Sequence, residues 1–440
     1  MLSSAENDLV RRDSAVPGLA LVLNSDAFAA ALRRGAPQAD LRSAQIVYAR
    51  FKPHHYCRVT YRLDVAGAAL DVDVRAGRRE DLATWLADDQ EVILPGPLGP
   101  GRVVLEDCAV VIHVFPNDLK LRGLRVLADQ RERERVFREL FPDSPELWRG
   151  ELRCLRYRPE RRYVSALGAA GENRAILKSY TRKAYLRARH NAEAFHSRGP
   201  LRVARVLGRS DSHRLLAFEW LPGRLLKEFC VAPRLNCAAI SASGAALAEL
   251  HGQAVDGLNP WTGATAAAEV LVLASEVGFI HPTVARRCDD LARRLAAQLN
   301  GLPAMQCPVH GDFSTNQVLV DEPEVAIIDL DWAGYGDPAD DVGNCIAQAE
   351  RFALRGEMTS HQVELFREAL IEGYSRSADR PPPRRIGLYT ALQLFRRARF
   401  PFRTREPDWP QRIESLVDRA EAIFTDWNRD ARSQRSCAKL

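Results

Sequence analysis

Two short stretches hold the residues best suited to do chemistry. The first reads Val309-His310-Gly311-Asp312-Phe313-Ser314-Thr315-Asn316-Gln317-Val318-Leu319-Val320, and the second, close behind it, Val325-Ala326-Ile327-Ile328-Asp329-Leu330-Asp331. Phosphoryl transfer needs one carboxylate to orient or deprotonate the attacking hydroxyl, and oxygen ligands that hold Mg²⁺ against the nucleotide phosphates. A loop of the form His-x-Asp-x-x-x-x-(Asn/Gln) supplies both. It places a catalytic base at Asp312 and a metal-ligating amide at Gln317, and Asp329, ending an apolar strand, is the second metal ligand. Asn316 competes with Gln317, but strand-like alternation into Val318 turns it elsewhere. A lone Asp in a loop is more often a turn or cap residue, so the weight rests on the combination. Asp331 reads as a metal or substrate contact or as a hydrogen bond that stabilises its loop, His310 as a brace for the catalytic loop, and His251 as a structural residue at a helix end.

These motifs need elements to position them. Glu151 to Arg158 alternates apolar and polar residues, Pro159 to Arg162 turns, and Tyr163 to Leu167 returns as a hairpin. A strand Ala175 to Tyr180, a helix Ala184 to Ser197, and strands Leu201 to Leu207 and Arg214 to Trp220 complete the order β-β-β-α-β-β. After Pro222-Gly223 the chain turns helical, with Ala238 to His251 and Val284 to Leu299 strongly periodic. Loop and strand follow over Cys307 to Ala333, then helix from Asp340 to Tyr374, a break at Pro381-Pro-Pro383, and closing helices Ile386 to Ala398 and Pro410 to Asp426. The N-terminal third repeats the coarse order. Phe51-Lys52-Pro53 echoes Tyr157-Arg158-Pro159, and the segments Leu70 to Val74, Arg79 to Leu86, Val103 to Leu105 and Ala109 to Phe115 fall in the same sequence of types. It reads as a degenerate duplicate of the later lobe acting as a cap, or as a chance likeness of short segments. The fold class is α+β. The expected domains are an N-terminal α/β accessory domain (1–145), a β-rich lobe (146–222), a helical lobe (223–430) and a flexible tail (431–440).

Composition excludes several classes. Lys+Arg 62 against Asp+Glu 57 leaves +5, with 27% charged and 46% hydrophobic residues, as in an ordinary globular protein and without the concentrated basic excess of a nucleic-acid binder. No nucleic-acid partner is expected. The N-terminus has early acidic residues and no apolar core, and no run approaches the roughly 20 apolar residues of a membrane helix, so neither a secretory signal nor a membrane partner is expected. The cysteines, 9 in number, are scattered with no C-x-x-C pair, which points away from structural zinc and toward reduced thiols in a cytoplasm.

His310-Gly-Asp-Phe-Ser-Thr-Asn-Gln-Val-Leu319 and Ile328-Asp-Leu-Asp-Trp-Ala-Gly-Tyr-Gly-Asp-Pro-Ala-Asp-Asp341 resemble the aminoglycoside phosphotransferase, choline kinase and maltokinase group of the protein-kinase-like fold. The resemblance covers Glu151 to Phe424 and implies a bilobal kinase-like fold that uses ATP or GTP with Mg²⁺ to phosphorylate a small-molecule hydroxyl. Residue by residue, it implies Asp312 as the catalytic aspartate, Asp329 as metal ligand and Asp341 as the tie between the second loop and the helical lobe. Gln317 stands where most members carry Asn, as in maltokinase-like members. The resemblance also implies a nucleotide-clamping lysine, Lys178, paired with Glu193, and a hinge where the backbone at Glu219 and Leu221 meets the purine. The loop over the phosphates, Arg158 to Arg162, has no glycine; its cations replace backbone contacts or are simply exposed. The stretch Leu392 to Arg405 is rich in Arg and aromatic residues, and in relatives this region lines the acceptor pocket. Polycationic acceptors need a carboxylate-rich pocket, so a neutral or anionic acceptor is expected, the alternative being a solvated basic face. Other readings are a maltokinase-like sugar kinase and a nucleotide-binding regulatory pseudokinase. The intact carboxylates and lysine favour an enzyme.

Overall fold

A computed structural model of the chain describes residues 1–88, 93–231, 235–377 and 385–437. Near the N-terminus, the helices Leu19–Leu23 and Ser25–Gly35, the second capped by the Asn24 side chain, lead into a five-stranded antiparallel sheet. Its strands are β1 (Leu41–Lys52), β2 (Tyr56–Val65), β3 (Ala68–Gly77), β4 (Arg102–Leu105) and β5 (Val110–Val114), with the helix Arg79–Asp88 after β3. Their order is β1-β2-β3-β5-β4. Inward residues of the strands meet the helices in one apolar layer, where Phe28 stacks on Tyr61 at 4.0 Å and the Tyr61 hydroxyl donates to Val22 O at 3.0 Å.

A second pair of helices, Gly123–Ala128 and Gln130–Leu140, the latter capped by Asp129, leads into a second sheet. It contains β6 (Glu151–Arg158), β7 (Arg162–Ala169) and β8 (Glu172–Tyr180), followed by the helix Arg182–Ala194. After β9 (Leu201–Arg202), the strands β10 (Val206–Ser210) and β11 (Leu215–Glu219) close the order β6-β7-β8-β11-β10. The expected strand Leu201 to Leu207 is divided, because Leu201 and Arg202 pair in parallel with a strand of the helical lobe and leave this sheet. Leu124, Phe137 and Leu140 pack on Leu167, Leu177 and Leu215, so this layer starts at Leu121, upstream of the expected lobe boundary at 146.

The two sheets share more than strand order. Each first hairpin turns through a Pro followed by a residue of positive φ, His54 at 62° and Glu160 at 53°. Each second hairpin closes on Ala-Gly with both φ positive, at Ala66-Gly67 and Ala170-Gly171, the turn whose twist suits paired strands. Each fifth strand is entered through a left-handed residue, Ala109 and Arg214. The sheets also touch. Glu160, at the tip of the β6–β7 hairpin, takes Arg58 Nη2 of β2 and Lys120 Nζ, each at 2.7 Å. Its N–H and the Tyr157 hydroxyl both donate to Asp118, at 2.7 and 2.9 Å. Desolvation would raise the Glu160 carboxyl, but the two cations win and hold it down at about 2.

Below the second sheet lies a helical lobe built on Cys237–His251, Gly263–Ile280, Ala285–Asn300, Pro338–Leu354, Ser360–Ser377, Ile386–Arg396 and Trp409–Cys437. Gly263–Ile280 is apolar enough over its 18 residues to cross a membrane by length and composition. Here it buries Val270, Leu273 and Val277 and reaches Arg396 and Arg403 through Glu269 and Glu276. The break expected at 381–383 lies outside the described residues. The last helix continues to Cys437 where a flexible tail was expected from 431, and the final three residues also lie outside. Short strands carry the motif loops. β12 (Arg224–Leu225) pairs with β14 (Val318–Asp321), β14 with β15 (Glu324–Ile327), β15 with β9, and β13 (Cys307–Val309) with β16 (Gly334–Gly336).

Candidate active site

Between the second sheet and the motif loops lies a cavity of about 530 Å³, lined among others by Lys178, Phe218, Leu221, Asn316, Gln317 and Asp329. Lys178 reaches it from β8, where it pairs with Val164 and Leu216. Its Nζ donates to Asp329 Oδ1 at 2.8 Å and to Asp331 Oδ1 at 3.3 Å. Arg162, first residue of β7, donates through Nη1 to the same two carboxylates at 2.6 and 2.7 Å, and the Tyr180 hydroxyl donates to Asp331 at 3.0 Å. Two cations thus balance two carboxylates in a buried site, where any one left alone would be costly. Desolvation would raise the Asp329 carboxyl and lower the Lys178 ammonium. Lys178 and Arg162 instead hold Asp329 well below the carboxylate range, and Asp329 and Asp331 hold Lys178 above its ordinary value. Asp329, two residues past β15, lies in the left-handed region at φ 70°, a conformation costing a non-glycine residue about 1–3 kcal/mol. The 3₁₀ turn Leu330–Trp332 follows, held by Asn191 Nδ2 on Leu330 O and Ala333 O at 3.0 Å each and by Arg187 Nε on Asp331 O at 2.8 Å.

Those two anchors explain a correction. Glu193 does not pair with Lys178; it bonds Arg209 at 2.9 Å with its side chain 57% exposed. Asn191 faces the motif loop, and at 3.6 residues per turn a residue two further on points to the other side of the helix. The carboxylates that hold Lys178 come from the helical lobe. At the hinge, Glu219 and Leu221 both line the cavity. The Glu219 N–H already donates to Arg205 O at 3.0 Å and its carboxylate accepts from Arg205 N and Nε, at 2.9 and 2.8 Å, so its N–H is not left to offer. The Leu221 N–H has no partner among the described residues.

The first motif is a braced loop. His310 Nε2 donates to Ile328 O at 2.9 Å, and its Nδ1 accepts from the Asp312 N–H at 3.1 Å, which fixes the tautomer. Asp341 accepts from His310 N at 2.6 Å, Gly311 N at 2.9 Å and His251 Nε2 at 3.0 Å. Its tie is therefore to the first loop, where the second was expected. Gly311 has φ 77°, and a Cβ there would lie 2.3 Å from Trp332 O. Gln317 lies against Asp329, Nε2 to Oδ2 at 3.4 Å, and a half-turn of the amide exchanges its NH₂ for its oxygen. Asn316, expected to point elsewhere, lines the same cavity. Two carboxylates and an amide oxygen are hard donors that suit Mg²⁺, which takes one or two protein carboxylates and completes its shell with phosphate oxygens and water. The donor set fits the ion.

A second cavity, of about 690 Å³, opens on the far side of the same loop and receives Asp312. Depth in the molecule raises the Asp312 carboxyl, with Asp329 adding to the effect against His310 and Arg397. Arg396, Arg397, Arg399 and Arg403 line this cavity, so the Arg-rich stretch is a wall of the site and no solvated face. Tyr48 enters from the N-terminal sheet. Sequence reasoning singled out Asp312, Gln317, Asp329 and Lys178. It missed Arg162 as the partner of Asp329, Asn191 and Arg187 as anchors, and Tyr48. Of these only Arg162 left a signal, in the arginines after Pro159.

A family model described as "Phosphotransferase enzyme family" matches residues 161–386, just over half of the chain. The chain belongs to this family. The phosphotransferase span includes Lys178, Asp312, Gln317 and Asp329, and leaves outside it Tyr48 and Arg396 to Arg403. Similar solved structures include a choline kinase from Cryptosporidium parvum Iowa II, at 9% identity and TM-score 0.47, covering 69% of this chain and 97% of that one. A choline/ethanolamine kinase family protein from Mesorhizobium loti has 17% identity and TM-score 0.44, covering 67% and 95%. A thermostable mutant of the aminoglycoside phosphotransferase APH(4)-Ia, in ternary complex with ADP and hygromycin B, has 20% identity and TM-score 0.44, covering 65% and 98%. No curated protein matches the chain. The two-lobed arrangement that the motifs implied, a β-rich sheet above a helical lobe, is the one the structure has.

Proposed function

We propose that the chain transfers the γ-phosphoryl group of ATP or GTP to a hydroxyl of a small molecule. One observation carries the reading: a single loop lines two adjoining cavities, presenting Asp312 to one and Asn316 and Gln317 to the other. A nucleotide in the first cavity would set its base against the hinge, where the Leu221 N–H has no partner among the described residues, and its phosphates against Lys178 and Arg162. Asp329 and Gln317, with Asp331 beside them, would hold Mg²⁺, which when bound neutralises phosphate charge. Asp312 orients the acceptor hydroxyl in the second cavity and takes its proton, a task that a raised carboxyl pKa suits. Catalysis is then mostly placement and charge stabilisation. Replacing Asp312→Asn should preserve binding of a non-hydrolysable ATP analogue while ADP release falls by about 10²–10⁴-fold. Equal turnover in the variant would refute the assignment.

A further inference from the structure

The charges lining the second cavity are not evenly matched. Glu269 is bonded to Arg396 at 2.9 Å, Glu276 faces Arg403 at 3.6 Å, Asp337 is bonded to Arg385 at 2.6 Å, and Asp340 accepts from Gln393 at 2.6 Å. Arg397 donates to the carbonyls of Gln393 and Asn344. Three guanidiniums remain. Arg158, Arg161 and Arg399 all line the cavity, and none has a carboxylate partner among the described residues. Arg399 Nε is buried with no acceptor. The three gather around Tyr48, whose ring lies 5.4 Å from the Arg158 guanidinium and whose hydroxyl accepts from Arg403 Nη1 at 3.3 Å.

We propose that the acceptor carries, besides the hydroxyl that receives the phosphoryl group, an anionic oxyacid group held by Arg161, Arg399 and Arg158 against Tyr48 of the N-terminal domain. This deepens the phosphotransferase reading above and rests on it. A guanidinium presents a planar fork of donors that matches phosphate and carboxylate oxygens, and three such forks with no carboxylate bonded to them form a site that an anion completes. Desolvation and mutual repulsion lower all three, Arg158 and Arg399 to about 10. The same field would repel a polycationic acceptor. The anion end and Asp312 line one cavity, so a sugar or polyol bearing a phosphate or carboxylate spans the two roles. Tyr48, Arg158 and Arg399 lie outside the matched span, and Arg161 is its first residue.

The test uses the full chain and inorganic sulfate as probe, titrated by calorimetry with and without a non-hydrolysable ATP analogue and Mg²⁺ in the first cavity. Sulfate should bind once in either case. The exposed-loop variant Arg161→Gln should weaken it by about tenfold, the loss of one charge-assisted contact, and Arg399→Lys should retain more affinity than Arg399→Gln. Arg135→Gln, on a remote helix, should change nothing. In turnover assays, sugar phosphates and sugar acids should release ADP where neutral sugars and aminoglycosides do not, and Arg161→Gln should raise KM with kcat largely kept. Absence of sulfate binding, equal binding by Arg161→Gln, or an aminoglycoside as the best acceptor would overturn the proposal. Failure to bind the ATP analogue, with sulfate still bound, would overturn the phosphotransferase reading instead.

Discussion

Arg75 and Lys178 occupy the same place in two sheets of the same strand order. Each lies on the third strand, opposite the second-strand residues Arg58 and Val164, and each precedes the start of a helix by four residues, at Arg79 and Arg182. Their surroundings differ. Lys178 looks across a cavity walled by the small helix residues Ala188 and Ala192 and finds two carboxylates of the helical lobe. Arg75 is covered by Trp85, its guanidinium 3.7 Å from the ring centroid, and Trp85 stands at the helix position that Ala188 holds beside the other sheet. Gly77 lets that ring down onto the strand, since a Cβ there would lie 2.0 Å from it. One frame therefore yields either a ligand-sized space or a closed surface. The choice is made by one helix side chain and by whether acidic loops lie below.

The contrast can be broken at the cations first. Lys178→Met should lower ADP release by about 10²–10³-fold, as for loss of a donor aimed at transferring phosphate, while Arg75→Met should stay within about twofold of the unaltered chain, given that a cation–π contact is worth about 1 kcal/mol. A comparable loss from Arg75→Met would show that the N-terminal sheet takes part in the chemistry. Transferring the aromatic residue sharpens the comparison: Ala188→Trp should fill the first cavity and weaken nucleotide-analogue binding by about a hundredfold, equivalent to overpacking by about 1–3 kcal/mol. Calorimetry would check it, and unchanged affinity would mean the helix wall is not what defines the space.

The smallest effect concerns pH. Burial pushes the Asp73 carboxyl, beside Arg58, up to about 7, with Glu160 and Asp118 adding to it against the Arg58 charge. A folded pKa raised above the unfolded value of about 3.9 means the native state holds the extra proton. That stabilising contribution is complete below about 4 and is lost as pH rises through about 7. Denaturant unfolding between these limits should show stability falling with pH, and Asp73→Asn should flatten the slope; an equal slope would place the titration elsewhere.

How much of this was legible in the sequence depends on distance along the chain. Asp312, Gln317 and Asp329 lie within one local pattern, and Lys178 within one alternating strand, so residue type and spacing were enough. The shared strand order was also visible, because Phe51-Lys52-Pro53 and Tyr157-Arg158-Pro159 mark the same turn. Glu193 was misplaced because the rotation of its helix is set by Asn191 and Arg187 meeting backbone carbonyls of a loop far along the chain, and charges on several faces of that helix hide the phase. The edge of the second lobe was missed because Leu124 and Phe137 declare their sheet only by packing. Tyr48 left no local trace, since its partners Arg158 and Arg403 lie far from it along the chain.

The anchored hairpin tip has a mechanical corollary. Glu160 moors the β6–β7 turn to Arg58 and Lys120, so a displacement of this turn would pull on the N-terminal sheet, and on Tyr48 with it. Any shift of that turn would therefore be felt in both cavities at once, since Tyr48, Arg158 and Arg161 line one and Arg156 and Arg162 the other.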